Sequence, residues 1–222
     1  MSAHLVVATQ QEAGIFKGLP LSISVSGIGK ETAYKSAKKA ISKGAFLLIS
    51  SGTATALSPE VKTGDLIIPE MILSSHGEKL RVPYHKEIVE EFKKIKGTHI
   101  LFGPLLEAED VIVHPTEKRK WHQETGCIAA DMESAALLKA ASEAKVPFLC
   151  IRSISDSLEM EIPKWLLMCL KEDGNISISL MVKGILLHPF DLYHLIRLAR
   201  GFHKAKRSLR YIMGRVYSSL PF

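Results

Sequence analysis

Short apolar runs alternate with longer amphipathic ones along the chain, and that alternation predicts the order of its elements. Strands are expected at 4–8 (His-Leu-Val-Val-Ala), 21–25, 46–50 (Phe-Leu-Leu-Ile-Ser), 65–72, 99–106 and 147–154. Helices are expected at 30–43, 85–95, 116–124 and 132–144, with a further set after Pro163. Near-continuous Val/Ile/Leu runs indicate strands covered on both faces. The fold predicted is therefore α/β: three layers, with a mixed, largely parallel central sheet flanked by helices. There is no internal repeat, and 222 residues suit one globular domain over 1–222.

The pattern changes near Asp173-Gly174-Asn175, a turn signal, and a basic helical C-terminal extension is expected over about 174–222. Within 189–213, Leu192, Leu195, Ile196, Ala199 and Phe202 recur at helical spacing. Such a stripe either packs on the domain or lies on a membrane surface, and packing is the commoner outcome. The formal net charge of +6 is concentrated here, in Arg197, Arg200, Lys204, Lys206, Arg207, Arg210 and Arg215. That surface favours anions: phospholipid, phosphate or nucleic acid. Nucleic acid is the weakest of the three, because the tail lacks aromatic interleaving of the kind that stacks bases.

Composition narrows the setting. No apolar run is long enough to cross a membrane, and the start Met1-Ser2-Ala3-His4 lacks a signal peptide's charged region and cleavage site. A cytosolic protein is expected, with peripheral contact to the inner membrane face if the tail binds lipid. Cys127, Cys150 and Cys169 are widely spaced, which suits buried apolar filler better than zinc or disulfides.

Four segments carry candidate chemistry. Val7-Ala8-Thr9-Gln10-Gln11-Glu12 takes a strand into a loop that ends in a carboxylate, where ligand crevices of open α/β sheets lie. Ser26-Gly27-Ile28-Gly29-Lys30 opens a helix, and glycines there let backbone approach an anion. Ser51-Gly52-Thr53-Ala54-Thr55-Ala56-Leu57 leaves a strand and offers amides and hydroxyls to a phosphate or water. Each alone is more often a plain turn or loop.

Ala130-Asp131-Met132-Glu133-Ser134 opens a helix. Asp131 suits the ordinary role of a helix N-terminal acid, whereas Glu133 could accept both hydroxyls of a ribose diol. Finally, Phe148 to Ser157 forms an apolar strand that delivers Asp156 at its C-terminal end, with Arg152 on the same face by alternation. A protonated Asp156 could donate to a purine N7, or Arg152 could hold a carboxylate ionised.

Together and in order, these segments resemble the nucleoside phosphorylase/nucleosidase superfamily over roughly residues 4–157. The nearest well-understood members are the methylthioadenosine/S-adenosylhomocysteine nucleosidases. The shortened middle, Ala108-Glu109-Asp110-Val111-Ile112-Val113 ahead of Glu117-Lys118, and the long tail are most similar to hopanoid-associated phosphorylases.

The resemblance implies that Glu12 activates the nucleophile and that Asp156, with Ser155 beside it, protonates purine N7. It gives Glu133 and Met132 to the ribose, Ile112 and Val113 to the base, and Gly27, Gly52, Thr53 and Ala54 to a phosphate or water loop. It implies no metal or organic cofactor, and a homodimer in which Tyr84 and His85 are candidates to complete the 5′ pocket. Both could equally be surface residues at the start of the 85–95 helix.

At the hopanoid level it implies release of adenine from adenosylhopane. Methylthioadenosine, S-adenosylhomocysteine or futalosine are the alternative substrates. Two departures stand out. Thr55 and Ala56 replace paired family glycines, and a β-branched Thr would resist φ > 0. No arginine takes the phosphate-clamp positions, and Lys17 alone follows Glu12, which favours water over phosphate. A non-catalytic nucleoside- or anion-binding protein is the reading of another class.

Overall fold

The computed structural model describes residues 2–84, 86–169 and 177–219. The strands are β1 (Ser2–Val7), β2 (Ser22–Val25), β3 (Ala45–Ala56), β4 (Leu66–Ile68), β5 (Met71–Leu73), β6 (Lys79–Arg81), β7 (Ile100–Phe102), β8 (Leu105–Glu107), β9 (Ala129–Asp131) and β10 (Phe148–Asp156). The helices are α1 (Gln10–Ala13), α2 (Lys30–Ser42), α3 (Lys86–Lys94), α4 (Pro115–Thr125), α5 (Ser134–Glu143), α6 (Lys164–Leu167), α7 (Ile178–Leu187) and α8 (Leu192–Ser219). Short 3₁₀ turns follow α1 and precede α8.

The ten strands form one mixed sheet in the order β6-β5-β8-β9-β3-β10-β4-β7, with β1 pairing both β2 and β3. This is the three-layer α/β architecture that the pattern predicts. On one face, Ala33, Ala37 and Ala40 of α2 and Leu137, Leu138 and Ala141 of α5 pack against Leu48, Ile67 and Cys150. On the other, Leu209, Ile212, Met213 and Val216 of α8 join Phe16 and Phe92 over Leu5, Ile49 and Ile151.

Several elements differ from expectation, each for a local reason. The run 65–72 divides into β4 and β5 at Pro69-Glu70, and 99–106 divides into β7 and β8 at Gly103-Pro104. A proline brings no N–H to a ladder and so ends pairing. The helix expected from 132 begins at Ser134, because Met132 and Glu133 make the turn into it.

The largest difference lies at 51–56, expected as a loop and in fact the second half of the 12-residue strand β3. Thr55 and Ala56 pair with Ala130 and Ala129 of β9, so Thr55 sits in extended backbone that a β-branched residue prefers. Among the described residues only Lys145 departs from glycine at positive φ. The concern over replaced glycines therefore disappears.

The stripe at 192–202 is not the buried one. α8 packs through Gly201, Ala205, Leu209, Ile212, Met213 and Val216, while Leu192, Ile196 and Ala199 are exposed. The Asp173-Gly174-Asn175 turn, with Glu172, lies outside the described residues, as does His85. Tyr84 is not free for a partner's pocket: its hydroxyl donates to the Cys150 carbonyl (3.1 Å) and accepts from the Cys150 N–H (3.2 Å).

Candidate active site

Three acids converge where β1, β9 and β10 end: Glu12 follows β1, Glu133 follows β9 and Asp156 closes β10. Glu12 is placed by a capping box: the Thr9 hydroxyl accepts from the Glu12 N–H, and the Glu12 carboxylate returns to the Thr9 N–H. Oε2 also accepts from the Ala8 N–H (3.1 Å), and Oε1 accepts from the Thr53 N–H (2.9 Å). Contacts from the Thr9 and Thr53 hydroxyls are longer, 3.4 and 3.3 Å. They exceed an ordinary O–H···O bond, so a water can take their place. Gly52 makes room, since a Cβ there would stand 2.7 Å from Oε1.

Glu133 precedes α5, and its Oε1 accepts from the Gly29 N–H at 2.9 Å. Gly29 has φ 100°, a conformation that glycine adopts at low cost, and it ends the loop into α2. Burial, reinforced by the nearby Asp131 carboxylate, pushes Glu133 up to about 8. Asp131 itself accepts from Arg152 Nε (2.7 Å) and from the Ser134 hydroxyl and N–H, which is a structural post at a helix start. Arg152 thus holds a carboxylate, but that of Asp131 rather than Asp156.

Asp156 owes its position to an irregularity. Ile154 pairs with Ala54 and Asp156 with Thr55, so Ser155 is an extra residue on β10. The bulge lets Ser155 and Asp156 both border the cleft. Three donors hold Asp156: Lys118 Nζ (2.6 Å) and the Thr55 hydroxyl (2.5 Å) on Oδ2, and the Ser155 hydroxyl (2.7 Å) on Oδ1. Lys118 is wholly buried in α4, and its other donors reach the carbonyls of Met160 (2.9 Å) and Ser157 (3.1 Å).

These acids share a cleft of about 240 Å³, bordered also by Met132, Thr53, Ala54, Ile28, Ile112, Ile162 and Leu198. No lysine or arginine side chain borders it among the described residues. Two larger hollows, each about 360 Å³, contain no such group of acids and offer less chemistry.

The predicted residues divide accordingly. Glu12, Thr53, Ala54, Ile112, Met132, Glu133, Ser155 and Asp156 border this cleft. Gly52 backs Glu12 in an adjoining recess. Gly27 stays in its turn, with φ 84° and its N–H on the Ala8 carbonyl. Val113 is buried outside the lining, and its carbonyl accepts from the Ile162 N–H.

Lys118 and the Thr55 hydroxyl are functional groups that sequence reasoning missed. Lysine is rarely fully buried, and within Glu117-Lys118-Arg119-Lys120 nothing separates the inward one from its exposed neighbours. Glu107, buried and pushed up to about 7 by that burial, was also missed; it accepts from the Ala136 N–H at 2.8 Å.

The sequence profile of the phosphorylase superfamily matches residues 7–165. A 5′-methylthioadenosine/S-adenosylhomocysteine nucleosidase of Buchnera aphidicola is 32% identical over 169 residues, covering 64% of this chain and 69% of its own. A DeoD-type purine nucleoside phosphorylase of Exiguobacterium sibiricum is 29% identical over 160 residues, covering 65% and 67%. In fold, the chain is similar to the Neisseria meningitidis methylthioadenosine/S-adenosylhomocysteine nucleosidase, solved with methylthio-immucillin-A. The TM-score is 0.73 at 16% identity, with 98% and 99% coverage. The futalosine hydrolase of Helicobacter pylori also gives 0.73, at 15% identity and 98% and 97% coverage.

Proposed function

The chain belongs to the phosphorylase superfamily and is an enzyme of N-glycosidic bond cleavage, and on that premise we propose that it releases adenine from a purine nucleoside by hydrolysis. The observation that carries this reading is the convergence of Glu12, Glu133 and Asp156 on one cleft without a bordering cation. The nearest cations, Lys118 and Arg152, are already paired with Asp156 and Asp131, so a phosphate dianion in this cleft would find no unpaired ammonium or guanidinium beside it. Water has no such cost.

Each acid has one task. Glu133 accepts hydrogen bonds from the ribose hydroxyls over Met132. Glu12 orients a water in place of the loose Thr9 and Thr53 hydroxyl contacts and takes its proton as the C–O bond forms. Asp156 serves the leaving base at N7. In the resting ion pair Asp156 carries no proton, so the proton comes from Lys118: as the C1′–N9 bond breaks, the ammonium protonates Asp156, which passes that proton to N7 and is left as a carboxylate beside a neutral Lys118. Adenine then leaves neutral, and Lys118 and Glu12 return to their starting states by exchange with solvent. General acid–base help of this kind supplies about 10²–10⁴-fold.

The finer reading is an adenine nucleoside with a large apolar 5′ group, adenosylhopane in hopanoid biosynthesis. It is supported by the likeness of the 108–118 segment and the long C-terminal part to hopanoid-associated phosphorylases, and by Ile162 and Leu198 at the cleft. A lipid-linked substrate makes peripheral membrane contact part of this reading. Methylthioadenosine, S-adenosylhomocysteine or futalosine hydrolysis is the second reading, favoured by the relatives named above. A homodimer is expected on the same likeness.

The discriminating experiment compares adenine release from methylthioadenosine and from adenosine carrying a long 5′-alkyl chain, both in detergent micelles. A kcat/KM at least about tenfold higher for the alkylated nucleoside is expected, since each methylene buried adds favourable transfer energy. A preference for methylthioadenosine would move the assignment to the second reading.

A further inference from the structure

We propose that α7, the 3₁₀ turn Pro189–Asp191 and the first turns of α8 dock this enzyme on an anionic lipid bilayer, with the catalytic cleft opening beside the lipid. The inference rests on the reading of an apolar 5′ group and says how such a substrate is reached. It moves the contact away from the basic helix as a whole, whose C-terminal half is committed to the core.

Among the described residues, every large apolar side chain that is exposed, save Tyr211, lies between Met168 and Ile196. Single exposed apolar residues are ordinary, but a run confined to one surface marks a contact. Phe190 is 93% exposed, and Ile178 and Leu186 are each 77% exposed.

The reason lies in how α7 is attached. Its sequence, Ile-Ser-Leu-Met-Val-Lys-Gly-Ile-Leu-Leu, is apolar around most of the helix, yet only Gly184 is buried. A Cβ at Gly184 would lie 2.2 Å from the Trp165 ring, so the glycine exists to let the helix rest on that indole. Trp165 also stacks on His188 and donates through Nε1 to Asp191 at 2.7 Å. One edge of α7 is thus fixed, while Ile178, Leu180, Val182, Leu186 and Leu187 are exposed among the described residues.

Charge selects the partner. From 162 to 200 the sequence holds three acids, Glu172, Asp173 and Asp191, against five cations, and the Asp191 carboxylate accepts from Trp165. Lys164, Lys183, Arg197 and Arg200 carry the opposite sign around the apolar surface. A two-fold contact between copies would bring these cations against one another, because the same patch faces itself. An anionic bilayer complements both the apolar area and its basic rim. At ten residues α7 is too short to span, and no described helix is long and apolar enough to cross a membrane, so it lies in the interface.

Position ties this surface to the site. Gly201 lets α8 rest against β10, where a Cβ would meet the Ser155 carbonyl at 2.0 Å. Leu198, one turn earlier, borders the cleft with Ile162. An amphiphile whose base enters the cleft would leave its apolar part beside the docking face.

The test is co-sedimentation of the full chain with vesicles of phosphatidylcholine alone and of an equimolar mixture with phosphatidylglycerol, without substrate. Wild type should bind the anionic vesicles. A Leu186→Ser/Leu187→Ser/Phe190→Ser variant and, separately, a Lys183→Glu/Arg197→Glu variant should bind at least about tenfold more weakly. Unchanged hydrolysis of dissolved methylthioadenosine would show that the variants remain folded. Failure of wild type to bind, or equal binding by all three proteins, would overturn the docking proposal. So would a dimer that the serine variant dissociates in ultracentrifugation while vesicle binding is unchanged. Because no substrate is present, the docking result stands or falls separately from the preference for a long 5′-alkyl nucleoside.

Discussion

Lys118 and Asp156 form an ion pair from which water is excluded: Nζ stands 2.6 Å from Oδ2, and the side chains are 0% and 5% exposed. Neither charge is tolerable there without the other. Breaking such a pair from one side costs about 3–5 kcal/mol, whereas replacing both partners by neutral groups costs far less. Lys118→Met should therefore unfold at markedly lower denaturant. The double variant Lys118→Met/Asp156→Asn should regain most of that stability but none of the activity. Equal stability of the two variants would show that the pair is not coupled as described.

Thr55 gives its hydroxyl to the same carboxylate oxygen at 2.5 Å. Thr55→Val keeps the shape and β-branching but leaves Asp156 one donor short. We expect kcat to fall about tenfold with a stability loss of about 1 kcal/mol, and Thr55→Ser to recover both. Steady-state kinetics beside thermal melts would separate these effects; unchanged kcat in Thr55→Val would show that the Thr55 hydroxyl does not support the action of Asp156.

Glu133 gives a pH dependence with a defined sign. Burial raises it from 4.5 to about 8 in the folded protein, so between those values the folded state holds a proton that the unfolded chain has lost. Stability from this group is full below pH 4.5 and is lost as pH rises through about 8. Glu107, raised to about 7, acts in the same direction over a narrower window. The melting temperature of the unliganded enzyme should thus fall from pH 5 toward pH 8, and less steeply in Glu133→Gln. A steeper fall in that variant would reverse the assignment.

Gly52 is the steric partner of Glu12. Gly52→Ala puts a methyl 2.7 Å from the present Oε1 position, so the carboxylate must turn away from the Thr53 N–H. Because misplacing a catalytic group by about 1 Å can cost about 10²-fold, kcat should fall by that order. KM should change less, since Glu133 and the base contacts are elsewhere. A variant as active as wild type would show that Glu12 need not stand where it does.

Much of this arrangement is legible in the sequence because it depends on local features. Val7 to Glu12 announces a strand end with a carboxylate, and the Thr9–Glu12 capping box that turns it inward is a three-residue relationship. Asp131 and Glu133 could be told apart by type and spacing; both border the cleft, Asp131 held by Arg152 and Ser134 and Glu133 by the Gly29 N–H. What was not legible depends on distant pairing. The β9 strand that keeps Thr55 extended lies 75 residues away in register, at Ala130. Nothing near Lys118 says that it will meet Asp156, 38 residues later. The front of α8 misled for a related reason: its periodic stripe is genuine, but what it faces depends on where α7 lies.

The most direct test of the central claim is adenine release from methylthioadenosine, measured with and without inorganic phosphate, for wild type and Asp156→Asn. The account predicts release by wild type at a rate that phosphate does not change, and a loss of about 10²–10⁴-fold in the variant. Release that depends on phosphate, or an Asp156→Asn enzyme as fast as wild type, would contradict it.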